Sequence, residues 1–496
     1  MSTTPRRATL GIDIGTSGTK VLAVDAGGTV LAERSSRREG AAGLSEHRPE
    51  QDWWAPVVQL VREILAELRL DVVGVGVTGC GPNVALTASS GTDPRPAIMY
   101  SDARAATQRE RLEQVLGDER IQALCGHSLN AESVGPKLLW LQDERPDEWA
   151  AAREVHTSHS YIVRRLGGDY VLDHTTASLW DPFYDPWRHE WHRDLAAEHG
   201  VDAVLPQLAW PDEIAGHVSA SAADATGIPA GTPIVVGTID FAAELVGSGV
   251  EGTGQASIVY GSTMVVQAVV PEVVVGREAY SCVGPSRGTH VVGGVTATAG
   301  TLVAWWRKLL GDAPLDALES EAASSPIGAN GLLLLPYFAG ERSPLFDSQA
   351  RGVLAGLTLA HTRGDIYRAV LEGTALAVRH VIDEIGGSGT PITRAVATGG
   401  GADSLWAQIV SDCAPVTQTV PEVVAAAALG AAALATRATA QVPNPGSWVR
   451  SIREISPNEA ATRRYDELFP LYRRLDEATR AVSHALGTSS AALPSS

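Results

Sequence analysis

The sequence predicts an α/β protein of two related lobes, and three observations carry that prediction. The chain has 496 residues, too many for one ordinary hydrophobic core and enough for two or three domains. The stretch "LGIDIGTSGTKVLAVD", residues 10–25, reads as strand, polar turn, strand, and "QASIVYGSTMVVQAV", residues 255–269, repeats that shape about half a chain later. Elsewhere strand-like runs alternate with helical patterns, as layered α/β architecture requires.

Composition narrows the setting. A content of 44% hydrophobic and 19% charged residues is that of a globular enzyme. The longest apolar run, Val423 to Ala435, falls short of the ~18 residues of a membrane span. The opening "MSTTPRRATLGIDIG" enters a strand-like segment without an apolar signal core, so a cytoplasmic location is expected. Cys80, Cys125, Cys282 and Cys413 form no CxxC pair and read as free thiols rather than a zinc cluster. With 39 Lys and Arg against 57 Asp and Glu, the net charge of −18 repels phosphate backbones and anionic lipid, so neither nucleic acid nor membrane is an expected partner. A small anionic ligand would have to be held by local backbone amides and a metal ion.

In the first hairpin, Leu10, Ile12 and Ile14 alternate with Gly11 and Asp13, and Val21 to Val24 resumes as a second strand. A plain hairpin would carry Asn-Gly or Asp-Gly at its tip. Here Gly15, Thr16, Ser17, Gly18, Thr19 and Lys20 put amides, hydroxyls and a cation into the turn, which suits either a structural turn or a polyphosphate. Asp13 could hold Mg²⁺ through water, because that ion keeps several waters and takes one or two carboxylates. Tryptophans 53, 54, 140, 149, 180, 187 and 191 read mostly as packing, and histidines 156, 159, 174, 189 and 192 lack the spacing of a metal set. Asp240 in "VVGTIDFAAEL" opens a helical stretch and reads, by itself, as an N-cap.

The Gly-rich "GSGVEGTG" that follows suits a hinge, giving a first lobe of 1–248 and a second of 249–486, with a small polar tail, 487–496, expected to be disordered. The second hairpin places Gly261, Ser262 and Thr263 at its turn. Glu341-Arg342 in "FAGERSP" reads as a loop-shaping ion pair near the cleft. In "AVATGGGADSLWAQIVSD" a strand passes through Gly399, Gly400 and Gly401 into a helix that begins at about Ser404 and has Leu405, Ile409 and Val410 on its apolar side. Glycines there let a flat ring lie on the backbone, although the run is not the GxGxxG of a dinucleotide fold.

Taken together, two hairpins and a GGG strand-helix element resemble the actin, Hsp70 and sugar-kinase ATPase superfamily. Two further segments, "PKLLWLQDE" (136–144) and "GVLAGLTLAHTRGDIYRAVLEG" (352–373), are similar to the two signatures of the FGGY carbohydrate kinases. "EHRPEQDWW", "RPAIMYSDARA", "GIPAGTPIVVGTIDFAAELVGSG", "PYFAGERSPLFDSQARG" and "AAAALGAAALA" resemble family segments in the family's order, covering residues 10 to about 486. Within the family the chain looks most like xylulokinase-like ketopentose kinases.

That resemblance implies two ribonuclease-H-like lobes around a cleft and an ATP- and Mg²⁺-dependent transfer of the γ-phosphate to a small sugar. A homodimer is compatible with it. It implies Asp240 as the base that deprotonates the attacking hydroxyl, with Asp13 and Asp240 holding the metal. It assigns Gly15, Thr16, Ser17, Thr19, Lys20, Gly261, Ser262, Thr263, Gly399, Gly400, Gly401 and Ser404 to the nucleotide. Cys80, Gly81, Pro82, Asn83, Asp240 and Phe241 fall to the sugar.

Two departures bear on the substrate. Cys80-Gly81-Pro82-Asn83 stands where xylulokinases carry Met-His-Gly, and Phe241 replaces a usual Asn. Asn83 reads equally as a replacement donor and as an Asx turn after Pro82. A kinase of another sugar or polyol, such as ribulose, glycerol or an erythritol-like alcohol, stays open beside xylulose. So do a chaperone or filament ATPase and a sugar sensor with a decayed site, against which the intact Asp13, Asp240 and GGG turn count.

Overall fold

In the computed structural model, which describes residues 5–38, 45–276, 280–387, 389–422, 425–440 and 448–489, the opening hairpin is formed by β1 (Arg6–Gly15) and β2 (Gly18–Val24). Pairing runs from Thr9↔Val24 to Gly15↔Gly18, so the turn proper is Thr16 and Ser17, and Thr19 and Lys20 belong to the second strand. Alternation buries Leu10, Ile12 and Ile14 against Val57, Leu60, Val61 and Ile64 of α1 (Ala55–Glu67) and Tyr161 and Ile162 of α2 (Ser158–Leu166).

β3 (Val30–Arg37) pairs with β2, and β4 (Leu70–Gly79) runs parallel to β1. β5 (Ile214–His217), β6 (Pro233–Val235) and the short β7 (Thr238–Ile239) complete a sheet of order β5-β6-β4-β1-β2-β3, with β7 beside β4.

The second sheet repeats the plan. β8 (Gln255–Tyr260) and β9 (Met264–Val270) form its hairpin, and β10 (Tyr280–Val283) and β11 (His290–Val295) extend it antiparallel. β12 (Arg394–Gly399) lies parallel to β8, followed by β13 (Thr417–Pro421) and the antiparallel β14 (Ser451–Ile455). Each lobe thus has an antiparallel hairpin whose first strand is followed, on the side away from its partner, by two successive parallel strands, which is the expected duplicated fold.

Between the lobes runs α3 (Asp240–Gly247). Helix α4 (Arg363–Gly386), opened by a Thr362–Asp365 capping box, and α5 (Leu405–Cys413) pack on the second sheet. Helix α6 (Ala426–Ala440) follows in the second half of the sequence yet covers the first sheet, where Leu22, Val24 and Val235 meet Ala428, Leu429 and Ala432. A β-carbon on Gly11 would stand 2.0 Å from the Ala428 carbonyl oxygen and one on Gly76 1.8 Å from that of Ala431, so this helix lies directly on backbone. The region 249–486 therefore lends a helix to the lobe before it.

The last helix, α7 (Glu459–Ser489), extends into the segment expected as a tail, and 490–496 lie outside the described residues. Among the described residues no helix is long and apolar enough to cross a membrane.

Candidate active site

Strands β1, β4 and β7 end side by side. Register sets Asp13 beside Thr78 and Thr78 beside Thr238, and the Thr78 hydroxyl donates to the Thr238 carbonyl at 2.8 Å. Two inter-strand steps of ~4.8 Å put the ends of β1 and β7 about 10 Å apart. The chain continues from β4 into Cys80 and from β7 into Asp240, so three segments distant in sequence meet at one sheet edge.

Asp240 is the first residue of α3, and its Oδ1 accepts the N–H of Phe241 at 2.8 Å. Asp240 is therefore not the N-cap expected of it: Ile239 holds that position, and among the described residues the Asp240 side chain bonds only the N–H next to it. Burial pushes Asp240 up to about 8, and the negative charge of Asp13, then those of Glu244 and Glu132, add to it. Burial lifts Asp13 to about 6, against the pull of Lys20 and with a further push from Glu244. Oδ1 of Asp13 is buried without a hydrogen-bond partner. Two partly protonated carboxylates, one with an orphan oxygen, suit a divalent cation that would neutralise both. Among the described residues no three His, Cys, Asp or Glu side chains stand close enough to enclose a metal directly.

At the first hairpin, Thr16 and Ser17 are exposed at the tip and Gly15 is half-buried. A β-carbon on Gly18 would lie 2.1 Å from the Ser36 carbonyl oxygen, so β3 excludes any side chain there. Lys20 sits opposite Asp13 in the register, with its Nζ 3.7 Å from Glu33 Oε1. Thr19 departs from expectation: strand alternation sends it to the opposite face from Lys20, where it is 2% exposed and cannot offer its hydroxyl to a phosphate in the cleft. Arg38, which no spacing in the sequence singles out, braces the turn by donating to the carbonyls of Gly15 and Thr16 through Nη1 and to that of Asp52 through Nη2.

The Cys80 loop is more closed than its expected contact with sugar requires. Cys80 donates its N–H to Ile14 at 2.8 Å and its carbonyl accepts the Ser158 hydroxyl at 2.7 Å. Burial, with Asp240 nearby, pushes its thiol up to about 12, against hydrogen bonds from Asn83 and Thr16. Asn83 is fully buried; its amide donates to the Cys80 carbonyl at 2.7 Å and its Oδ1 accepts the Tyr100 N–H at 3.0 Å. Asn83 makes no Asx turn: its oxygen holds Tyr100 rather than the residue two positions on, and with both polar atoms used to brace the loop it is not placed as a replacement donor either. Pro82 is also buried, leaving Gly81 half-buried. The Phe241 ring packs against Leu179, Ile239 and Ala242 on one side and Leu245, Val250, Val269, Cys282 and Val291 on the other. It bridges apolar surface of both lobes, a use the resemblance did not suggest.

The second hairpin is braced by backbone. Gly261 accepts the N–H of Gly300, and Ser262 those of Ala299 and Thr301, where the helix Gly300–Leu309 begins. Gly261 donates its own N–H to Thr263 at 3.1 Å, and Ser262 is exposed. At the glycine turn, Gly399 has φ +91° and a β-carbon there would lie 2.5 Å from the Tyr260 carbonyl oxygen, so glycine is required on two counts. A β-carbon on Gly401 would meet the Trp406 ring at 2.8 Å, while Gly400 faces open space, the surface on which a flat ligand could rest. Ser404 is corrected from a nucleotide contact to a helix cap: its Oγ donates to Gly401 at 2.7 Å and accepts the Trp406 N–H at 3.2 Å.

Two charged side chains near the cleft, Glu244 and Lys137, were not singled out in the sequence, and the expected Glu341-Arg342 ion pair takes another form. Glu244 on α3 accepts the Thr398 hydroxyl at 3.2 Å. Lys137 of the "PKLLW" segment is fully buried and donates to the Tyr100 carbonyl at 2.8 Å; burial lowers it to about 8. Arg342 lies 3.8 Å from Glu132 of the other lobe, both exposed, a pair of small energetic weight. Glu341 instead accepts the N–H groups of Ala297 and Arg342, and burial raises it to about 7. A cavity of about 700 Å³ lined by His380, Arg473, Arg480 and His484 lies on the second lobe, and none of the expected site residues lines it.

Residues 8–247 match the N-terminal domain of the FGGY family of carbohydrate kinases, and 252–439 match its C-terminal domain. The chain belongs to this family. FGGY kinases are ATP-dependent sugar phosphotransferases, and this chain is one by that membership. It is 27% identical to a xylulose kinase of Bacillus subtilis (strain 168) over 495 residues, covering 96% of this chain and 98% of the relative. It is 30% identical to a xylulose kinase of Escherichia coli (strain K12), with 81% and 84% covered. The crystal structure of xylulose kinase from Rhodospirillum rubrum superposes with TM-score 0.88 at 30% identity, covering 96% of this chain and all of that one.

Proposed function

We propose that this FGGY kinase phosphorylates a ketopentose, with xylulose the first candidate. The observation that carries the mechanism is the lateral register of Asp13, Thr78 and Thr238, which brings Asp13 and Asp240 to one sheet edge. Support for the sugar comes from xylulose kinases that match over nearly the whole chain. Asp240 accepts the proton of the attacking hydroxyl, and the tip of the first hairpin and Ser262 bind phosphate oxygens. The open surface at Gly400 receives the nucleobase. Asp13 and Asp240 would hold Mg²⁺, which when bound would supply neutralisation of the phosphate charge.

Phosphoryl transfer is mostly positioning and charge neutralisation, so the residues here need to orient ATP and sugar and exclude water rather than form bonds. We place the reaction in the cytoplasm, where the four buried, unpaired cysteines stay reduced. A coupled ADP-release assay over xylulose, ribulose, gluconate and glycerol tests the reading. Xylulose should raise turnover at least ~10-fold over the sugar-free rate, about 1.4 kcal/mol in barrier. Equal or greater stimulation by gluconate or glycerol would replace the ketopentose, and no stimulation by any sugar would remove the kinase mechanism drawn here.

A further inference from the structure

Helix α3 presents two carboxylates one turn apart, Asp240 at its start and Glu244 four residues on. The mechanism uses the first and leaves the second without a task. Glu244 belongs to the first lobe by sequence, yet its hydrogen-bond partner, Thr398, belongs to the second. Thr398 is the penultimate residue of β12, opposite Val259 of β8 and immediately before the constrained Gly399. A side chain on the catalytic helix therefore grips the strand that delivers the glycine turn.

The bond is half-buried, and apolar side chains lie beside it. Phe241 and Leu245 of α3 pack with Val269, Cys282, Val291 and Val396 of the second sheet, so the joint around the bond is apolar. Hydrogen bonds gain strength where water is excluded, and a carboxylate acceptor is stronger than a neutral one. Burial raises the Glu244 carboxyl while the Thr398 hydroxyl opposes that shift, so the ionised form draws its support from this partner. A glutamate beside Asp13 and Asp240 is electrostatically unfavourable to both, and a packing role alone would be met better by an apolar side chain.

We propose that Glu244 is a positioning residue that ties the catalytic helix to the glycine turn through Thr398, fixing the separation between bound nucleotide and Asp240. The inference rests on the reading of Gly399–Gly401 as the nucleotide turn. Without the tie, β12 and its turn drift relative to α3, ATP binds less tightly, and the γ-phosphate is presented to Asp240 less often.

The test compares E244A, E244Q, T398V, T398S and the double variant E244A/T398V of the full chain, using calorimetric titration of ATP without sugar and the ADP-release assay with xylulose. Removing a charge-assisted hydrogen bond should weaken ATP binding about tenfold in both E244A and T398V. kcat should fall in parallel, while the KM for sugar moves by less than about twofold. E244Q and T398S retain an acceptor and a hydroxyl and should stay within about threefold of the parent. The double variant should be no worse than either single one, since both remove the same bond.

ATP affinity unchanged in E244A, losses that multiply in the double variant, or E244Q as impaired as E244A would each overturn the tie. If E244A does not fold, E244Q with T398V decides the matter. Because the titration needs no sugar, a failed sugar assignment leaves the coupling readable, and an uncoupled pair leaves the kinase reading intact.

Discussion

The two hairpins share a shape and differ in chemistry. In the first, Asp13 and Lys20 face each other across the strands, and a guanidinium, Arg38, holds the turn from behind. In the second, the position that matches Asp13 relative to the turn glycine is Val259, and backbone amides of a helix start hold the turn. A duplicated scaffold therefore carries reactive charge on one side only. In the proposed mechanism the first lobe supplies the carboxylates for proton and metal chemistry, and the second supplies neutral donors and an open glycine surface for the nucleotide.

The largest test of that division is Asp240→Asn, which replaces the proposed base with an amide that cannot take the proton and should keep nucleotide binding. Sugar-dependent turnover should fall roughly 10²–10⁴-fold. A variant within about threefold of the parent would move the base elsewhere. Asp13→Asn comes next: the Mg²⁺ concentration for half-maximal rate should rise roughly 10–100-fold, and EDTA should abolish activity in the parent. Full activity in EDTA would dissolve the contrast between a charged and a neutral hairpin. Arg38→Met leaves charge at the cleft intact and loosens only the brace, so a rise of about tenfold in the KM for ATP with little change in the sugar KM is expected. An unchanged KM would show that the turn holds its shape unaided.

The smallest effect is on stability. Folded Asp240 keeps its proton up to about pH 8 and folded Asp13 up to about 6, whereas unfolded aspartate loses it near 4. Between those limits the native state binds more protons than the unfolded one, so stability falls as pH rises. In EDTA, Asp240→Asn should gain Tm relative to the parent at pH 8 and lose that advantage near pH 4. A gap that narrows towards pH 8 would contradict the burial of this carboxylate.

Much of this was legible from sequence, for local reasons. The alternation of Leu10, Ile12 and Ile14 and the repeated turn glycines disclose both hairpins, and the GGG run discloses a strand-to-helix turn. Period-two alternation could also have removed Thr19 from the phosphate set, since it cannot share a face with Lys20. Ser404 followed the rule for caps, whereas Asn83 braces its loop through Cys80 and Tyr100, a partner seventeen residues away that no local rule points to. What stayed hidden depends on tertiary contact. Arg38, Glu132 and Glu244 look like ordinary surface charges until the fold brings them to the cleft, and an acidic residue four after Asp240 was the single available hint. Phe241 was assigned to the sugar through the resemblance, and its packing against apolar side chains of both lobes depends on tertiary contacts that the sequence does not display.

The placement of helix Ala426–Ala440 has a consequence for how such a protein can be divided. Gly430 sits where a β-carbon would lie 1.8 Å from the Ala243 carbonyl oxygen, and Gly247 makes the reciprocal approach to Ala426. A polypeptide severed within 248–254 would yield a front piece with a bare sheet face along Gly11 and Gly76, and a rear piece carrying an apolar rod with nothing to lie on. Neither piece should then be a self-sufficient module, although each corresponds to one half of the duplication. Produced separately they should aggregate, and produced together they should dock through this rod, which makes the severed chain a natural two-part reporter of protein encounter rather than a pair of exchangeable domains.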